Sequence, residues 1–238
     1  MENIINNKSL VLGLMSGTSM DGLDISCARY TNHNGIWNFD LLACETFNYS
    51  SKIKTDLLKV FHKESNLLDL DEHFSTMSAN YILEFLKKHN LNIDLISSHG
   101  HTIFHDPDNG YTKQIGMGSI ISQITNIPVV SNFRQQDIDF GGQGAPLVPV
   151  GDQLLFSEYD SCLNLGGICN ISFTYNHIRY AYDICPCNMV LNIICKKIGK
   201  DFDAYGEIAS VGHVDDALLD EFNKVKYYNL DIPKSLGK

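Results

Sequence analysis

Residues 9–30, SLVLGLMSGTSMDGLDISCARY, restrict the folds open to this chain more than any other stretch. Leu10, Val11 and Leu12 form an apolar run that stops at Gly13, and a second strand is expected over 23–30. Between them lie Ser16, Gly17, Thr18, Ser19, Met20, Asp21 and Gly22, a hairpin tip of glycines and hydroxyls. Gly17 and Gly22 can adopt the positive φ that turns backbone N–H groups outward, and Thr18 and Ser19 add hydroxyl donors at the same place. Such a tip can cradle phosphate. A carboxylate there, Asp21 or Asp24, would repel phosphate directly, so its expected use is to hold a hydrated Mg2+ that meets the phosphates. A glycine-rich hairpin turn with nothing bound is the alternative.

A third strand is expected over 37–49, where aromatic and apolar residues are dense, so three consecutive antiparallel strands open the chain. Residues 51–64 and 67–89 read as helices, the second with Leu70, Phe74, Met77, Tyr81 and Phe85 at helical spacing. Asp69 with Glu72 suits a capping box at its start, and Lys87 and Lys88 suit the negative end of its dipole. That aromatic stripe belongs in a core rather than on a cofactor. A short buried strand over 93–98 then runs into His99, Gly100, His101 and Thr102, and open α/β sheets place ligands at the C-terminal ends of such strands. A helix is expected over 115–125 and a strand over 127–130. A second dense motif patch follows over 131–149, SNFRQQDIDFGGQGAPLVP.

The order then starts again. Residues 160–173, DSCLNLGGICNISF, repeat the theme of strand, double glycine and strand; 178–184 supply a third strand, and helices are expected over 188–198 and 214–226. A repeated unit of this kind implies an α/β fold of two related lobes around a cleft, 1–150 and 151–238. The second lobe is expected to be incomplete, because the chain closes on a loop-like run at 232–238 without the further elements of the first.

Composition narrows the partners. A net charge of −10 across 238 residues, with no Lys/Arg cluster, argues against nucleic acid. Phosphate has to be met locally, by backbone amides and metal. No apolar window reaches the length of a membrane span, and the N-terminus lacks the pattern of a secretory signal. Seven cysteines, an odd number spread along the chain, suit a reducing compartment, so the cytoplasm is the expected location.

Taken together, GLMSGTSMDGLD at 13–24, SHGHT at 98–102, QIG at 114–116, NFRQQDIDFGGQGAPLVP at 132–149, NLGGICNIS at 164–172 and IPKSLGK at 232–238 resemble the anhydro-N-acetylmuramic acid kinase family. The resemblance implies the actin-like ATPase (ribonuclease H-like) fold of the actin and hexokinase-like superfamily. It further implies a cell-wall recycling enzyme that uses ATP and Mg2+, opens the 1,6-anhydro bond of anhydro-N-acetylmuramic acid with water, and phosphorylates the freed 6-hydroxyl. By motif position, Gly17, Thr18, Ser19, Met20, Asp21, Gly22, Leu23 and Asp24 would form the ATP phosphate loop, with Gly166 and Gly167 as the second phosphate turn. Asp137 would be the base that activates water. His99, Gly100, Thr102, Arg134, Gly142, Gln143 and Gly144 would contact the sugar, with Arg134 keeping Asp137 ionised. Mg2+ would come with ATP near Asp21 and Asp24, without a protein cage of its own. A homodimer is an admissible assembly.

Two departures from the family stand out. Cys185 and Cys187 occupy a turn, 183–188, where glycines are usual, and the family chain continues beyond the IPKSLGK segment. The chain alone is therefore expected to be weakly active or inactive. Two readings from other classes compete: a non-catalytic sugar-binding remnant, and a metallohydrolase using His99, His101, His105 and Asp106 of HGHTIFHD. Asp137 could also be a plain helix cap with Arg134 as its surface partner.

Overall fold

The computed structural model describes residues 8–17, 20–106 and 109–236. They divide into two compact units, Met1–Leu147 and Val148–Lys238. The first opens with β1 (Lys8–Ser16), β2 (Gly22–His33) and β3 (Ile36–Asn48), an antiparallel meander. Helices α1 (Ser51–Phe61) and α2 (Leu67–His89) follow, then β4 (Leu95–Asp106), β5 (Tyr111–Ile115), α3 (Gly118–Thr125), β6 (Val129–Ser131) and α4 (Phe133–Asp139). The six strands form one sheet in the order β3-β2-β1-β4-β5, with β6 also paired to β4. β4 runs parallel to β1 and β6 and antiparallel to β5. This mixed α/β arrangement is that of the superfamily expected from the motifs.

Alternation along β1 buries Leu12, Leu14 and Ser16 on one face, and the two leucines share a core cluster with Phe74, Ile82 and Phe85 of α2. The aromatic stripe of α2 is thus core. Its start differs from the expected capping box: Asn66 is the N-cap, its side chain accepting from the Leu68 N–H, so Asp69 and Glu72 are not needed for that purpose. Asp71, only 2% exposed, accepts from the Gly116 N–H (2.7 Å) and from Lys113 Nζ (2.9 Å). Ser75 Oγ, one turn on, accepts from the Met117 N–H at 2.7 Å. These bonds fasten the QIG segment to α2.

β4 and α3 depart from the sequence reading for one reason, a strand β5 that the sequence did not announce. β4 does not stop at Ser98 but continues to Asp106, because β5 pairs along its second half, His101 opposite Ile115. Gly100 takes φ +73°, and a side chain there would strike the Ile115 carbonyl; Gly116 faces it at φ +112°. His99, Gly100, His101 and Thr102 therefore lie inside a strand, and the helix expected from 115 starts only at Gly118.

The second unit holds α5 (Val148–Leu155), the antiparallel meander β7 (Ser161–Leu165), β8 (Ile168–Tyr175) and β9 (Ile178–Pro186), then α6 (Asn188–Lys197), α7 (Glu207–Ser210) and α8 (Asp216–Asn223). The order of three strands and a helix from the opening of the chain recurs here. α8 is shorter than its pattern suggests, since Asp215 caps it by accepting from the Leu218 N–H. Among the described residues, no helix is long and apolar enough to cross a membrane.

Candidate active site

The FRQQDIDFGGQGAP patch folds back on itself around one carboxylate. Asp137 lies inside α4 rather than at a cap, and the chain turns at Phe140 so that Gly142 N–H reaches the Asp137 carbonyl at 2.8 Å. Gly144 N–H then donates to Asp137 Oδ2 at 2.8 Å. Two glycines are obligatory for different reasons. A Cβ on Gly142 would overlap the Asp137 carboxylate, and Gly144 sits at φ +67° with Ile138 and the Arg134 carbonyl against it. Gly142→Ala is expected to force the carboxylate aside at a cost of about 1–3 kcal/mol, read as a lower denaturant midpoint.

Arg134 does not pair with Asp137, contrary to expectation. Its Nε donates to His99 Nε2 at 2.8 Å and its Nη1 to the Gly144 carbonyl at 2.7 Å. His99 Nδ1 donates to the Gly100 carbonyl at 2.9 Å. Burial pushes the His99 pKa down; the bond to Gly100 opposes this and Arg134 reinforces it, so the ring is neutral. Thr102 Oγ1 accepts from Gln114 Nε2 at 3.3 Å, and Gln143 is exposed. The structure thus gathers His99, Arg134, Asp137, Gly142 and Gly144 in one cluster.

Two residues along β4, His101 meets the other motif patch. His101 (4% exposed) is hydrogen-bonded through Nδ1 to Ser16 Oγ at 2.9 Å, and Tyr49 (5% exposed) donates its hydroxyl to the same oxygen at 2.7 Å. Ser16 Oγ thus accepts from Tyr49 and keeps a second place for the His101 ring. Burial pushes the His101 pKa down to about 4, with His99 adding to the effect. Tyr49 also donates its N–H to the Asp21 carbonyl at 3.0 Å, so it holds both ends of the segment from Ser16 to Asp21. Within that segment Thr18 and Ser19 lie outside the described residues, and Met20 takes positive φ (56°), donating its N–H to the Gly17 carbonyl. Gly22 is not in the positive-φ region; a Cβ there would lie 2.5 Å from the Phe47 carbonyl, so close packing of β3 requires the glycine. Asp21 and Asp24 are exposed, Asp24 accepting from Thr46 Oγ1 at 2.6 Å, and Leu23 is core. The roles of Ser16 and Tyr49 escaped sequence reasoning, although the inward alternation Leu12, Leu14, Ser16 marks a buried hydroxyl.

In the second unit, Gly166 and Gly167 form the turn between β7 and β8, neither at positive φ. Their carbonyls accept from the start of α6: Asn188 N–H on Gly166, and Cys187 and Met189 N–H groups on Gly167. Cys185 stands opposite Cys169 across β8 and β9, and burial pushes the Cys169 thiol pKa up. The turn expected over 183–188 is instead the end of β9 and the start of α6, with Cys187 alone between them, and its N–H on Gly167 ties this junction to the glycines. Asp183 anchors the chain's last described segment, its carboxylate accepting from Ser235 Oγ (3.0 Å) and the Leu236 N–H (2.8 Å).

The HGHTIFHD histidines do not converge. His99 has both nitrogens engaged, His101 binds Ser16, and His105 Nδ1 meets Thr112 Oγ1 at 3.1 Å. Among the described residues no three His, Cys, Asp or Glu side chains are grouped to hold a metal.

Residues 9–238 match the family model described as anhydro-N-acetylmuramic acid kinase. Proteins named anhydro-N-acetylmuramic acid kinase from Caldanaerobacter subterraneus and Vibrio parahaemolyticus are each 35% identical to it, over 96% of this chain and 64% and 65% of their own lengths. One from Clostridioides difficile is 34% identical over 95% of the chain and 64% of its own length. The chain thus spans just under two thirds of these relatives. A match along nearly the whole of it, through every motif patch described above, places the chain in the anhydro-N-acetylmuramic acid kinase family.

Proposed function

We propose that the chain carries the sugar-opening apparatus and the phosphate turns of an ATP-dependent anhydro-N-acetylmuramic acid kinase of cell-wall recycling. What supports this is β4, which links the two motif patches through neighbouring side chains, His101 to the Ser16 loop and His99 to the Asp137 cluster. Asp137 is the base. It takes a proton from water as that oxygen bonds to the anomeric carbon; the bridging bond from that carbon to O6 breaks, and O6, left with the electron pair, takes the γ-phosphoryl group as its bond to the β-phosphate oxygen breaks and ADP leaves. Thr102, Gln143 and the backbone of Gly100, Gly142 and Gly144 are assigned to the sugar side.

Phosphoryl transfer demands positioning and charge neutralisation more than covalent chemistry. The segment from Gly17 to Asp24 is assigned to the ATP phosphates, and Gly166 and Gly167 to the same task in their own unit. The exposed carboxylates of Asp21 and Asp24 suit the water shell of a hydrated Mg2+, which prefers one or two carboxylates to a full protein cage. Mg2+, when bound, supplies charge neutralisation for the transferred group. The expected partners are the anhydro-amino sugar and ATP, with the cytoplasm as location.

Titration calorimetry with the anhydro-sugar and with MgATP tests this reading. Saturable binding of both is expected. Binding of sugar alone would favour a non-catalytic sugar-binding protein, and heat from neither would overturn the proposal.

A further inference from the structure

The resemblance casts His99 and Arg134 as sugar contacts, yet both ring nitrogens of His99 are already engaged. Its Nδ1 donates to the Gly100 carbonyl (2.9 Å) and its Nε2 accepts from Arg134 Nε (2.8 Å). Arg134 continues through Nη1 to the Gly144 carbonyl (2.7 Å), and the Gly144 N–H reaches the Asp137 carboxylate (2.8 Å). Four hydrogen bonds run without a gap from the β4 backbone to the carboxylate. We infer that His99 is a positioning residue, which acts through Arg134 and Gly144 to set where the Asp137 carboxylate sits. This rests on the reading of Asp137 as base.

Each link has one way to be made. A carbonyl only accepts, so His99 carries its proton on Nδ1 and aims a lone pair from Nε2 at Arg134. The guanidinium presents Nε and Nη1 in a rigid plane, so seating Nε on the histidine directs Nη1 to its second acceptor; a lysine has no such fork. Gly144, at φ +67° and without a side chain, has the widest conformational range of any residue, and a grip on its carbonyl restricts the direction of its N–H. β4 itself is fixed on both edges, by β1 on one side and by β5 and β6 on the other. The chain of bonds transmits that rigidity to a carboxylate on a short helix and a glycine loop.

Amide hydrogen exchange at Gly144, followed by NMR, reads the final link without reference to turnover. His99→Ala and Arg134→Lys are each expected to speed Gly144 exchange at least tenfold, while the Leu12 and Ile96 amides in the sheet stay protected. His99→Gln, whose side-chain oxygen can accept from Arg134 Nε, is expected to recover part of the Gly144 protection. In turnover, His99→Ala should lower kcat at least tenfold with little change in KM for the sugar. Unchanged Gly144 exchange in His99→Ala would overturn the inference, as would a tenfold loss of sugar affinity with Gly144 protection intact. Asp137→Asn separates the two levels, read as the turnover this chain retains above an enzyme-free blank: a measurable rate left undiminished by that substitution would sink the base assignment. Lost turnover there, beside a His99→Ala protein normal in both readouts, would sink the positioning alone.

Discussion

Asp137→Asn is expected to lower the rate of anhydro-ring opening by roughly 10²- to 10⁴-fold, the usual contribution of a positioned general base. The asparagine oxygen can still accept the Gly144 N–H that the carboxylate accepts at 2.8 Å, so the glycine wrap survives the change. What disappears is the capacity to take a proton. The loss should therefore fall on kcat, with sugar affinity by calorimetry and the unfolding midpoint close to wild type. Asp139→Asn is the matched control, since Asp139 is exposed on the same helix and its carboxylate accepts from Gln135 Nε2 at 2.9 Å. A rate loss shared equally by the two variants would show a general sensitivity of α4 instead.

The second large effect concerns stability and acid. His101 is buried beside Ser16 and Phe74, and its pKa is pushed from an ordinary 6.5 to about 4. Between those values the unfolded chain holds a proton that the folded chain refuses. Stability from this group is complete above about pH 6.5 and is lost as pH falls through the folded value, a change of about 3 kcal/mol. His99, also lowered by burial, acts in the same direction. Chemical denaturation at pH 7 and pH 4 should show His101→Gln to be less stable at neutral pH and less acid-sensitive than wild type. Parallel curves for the two proteins would remove His101 as the source of the slope.

Much of the fold was legible because burial leaves a periodic trace. The α2 stripe Leu70, Phe74 and Phe85 and the opening meander follow directly from spacing, and α2 spans the 23 residues its pattern demands. The motif patches were equally plain as strings of glycine and polar residues. Their internal geometry was not. Gly22 looked like a positive-φ turn residue and proves to be a close-packing glycine against Phe47, whereas Met20 carries the positive φ. Arg134 and Asp137 are three residues apart on one helix, a natural ion pair, but Arg134 is drawn instead to His99, thirty-five residues earlier. Long-range pairings of this kind have no signature in local sequence. The extension of β4 past Ser98 was hidden likewise, since Gly100 reads as a strand stop until β5 is seen beside it.

A crystal structure with the anhydro-amino sugar bound would place or displace the whole account. The expected result has the anomeric carbon turned toward Asp137 and one ordered water within about 2.6–3.2 Å of its carboxylate, while Gly144 keeps its N–H on the other side. Sugar seated away from residues 99–102 and 134–144, with no water between it and Asp137, would contradict it.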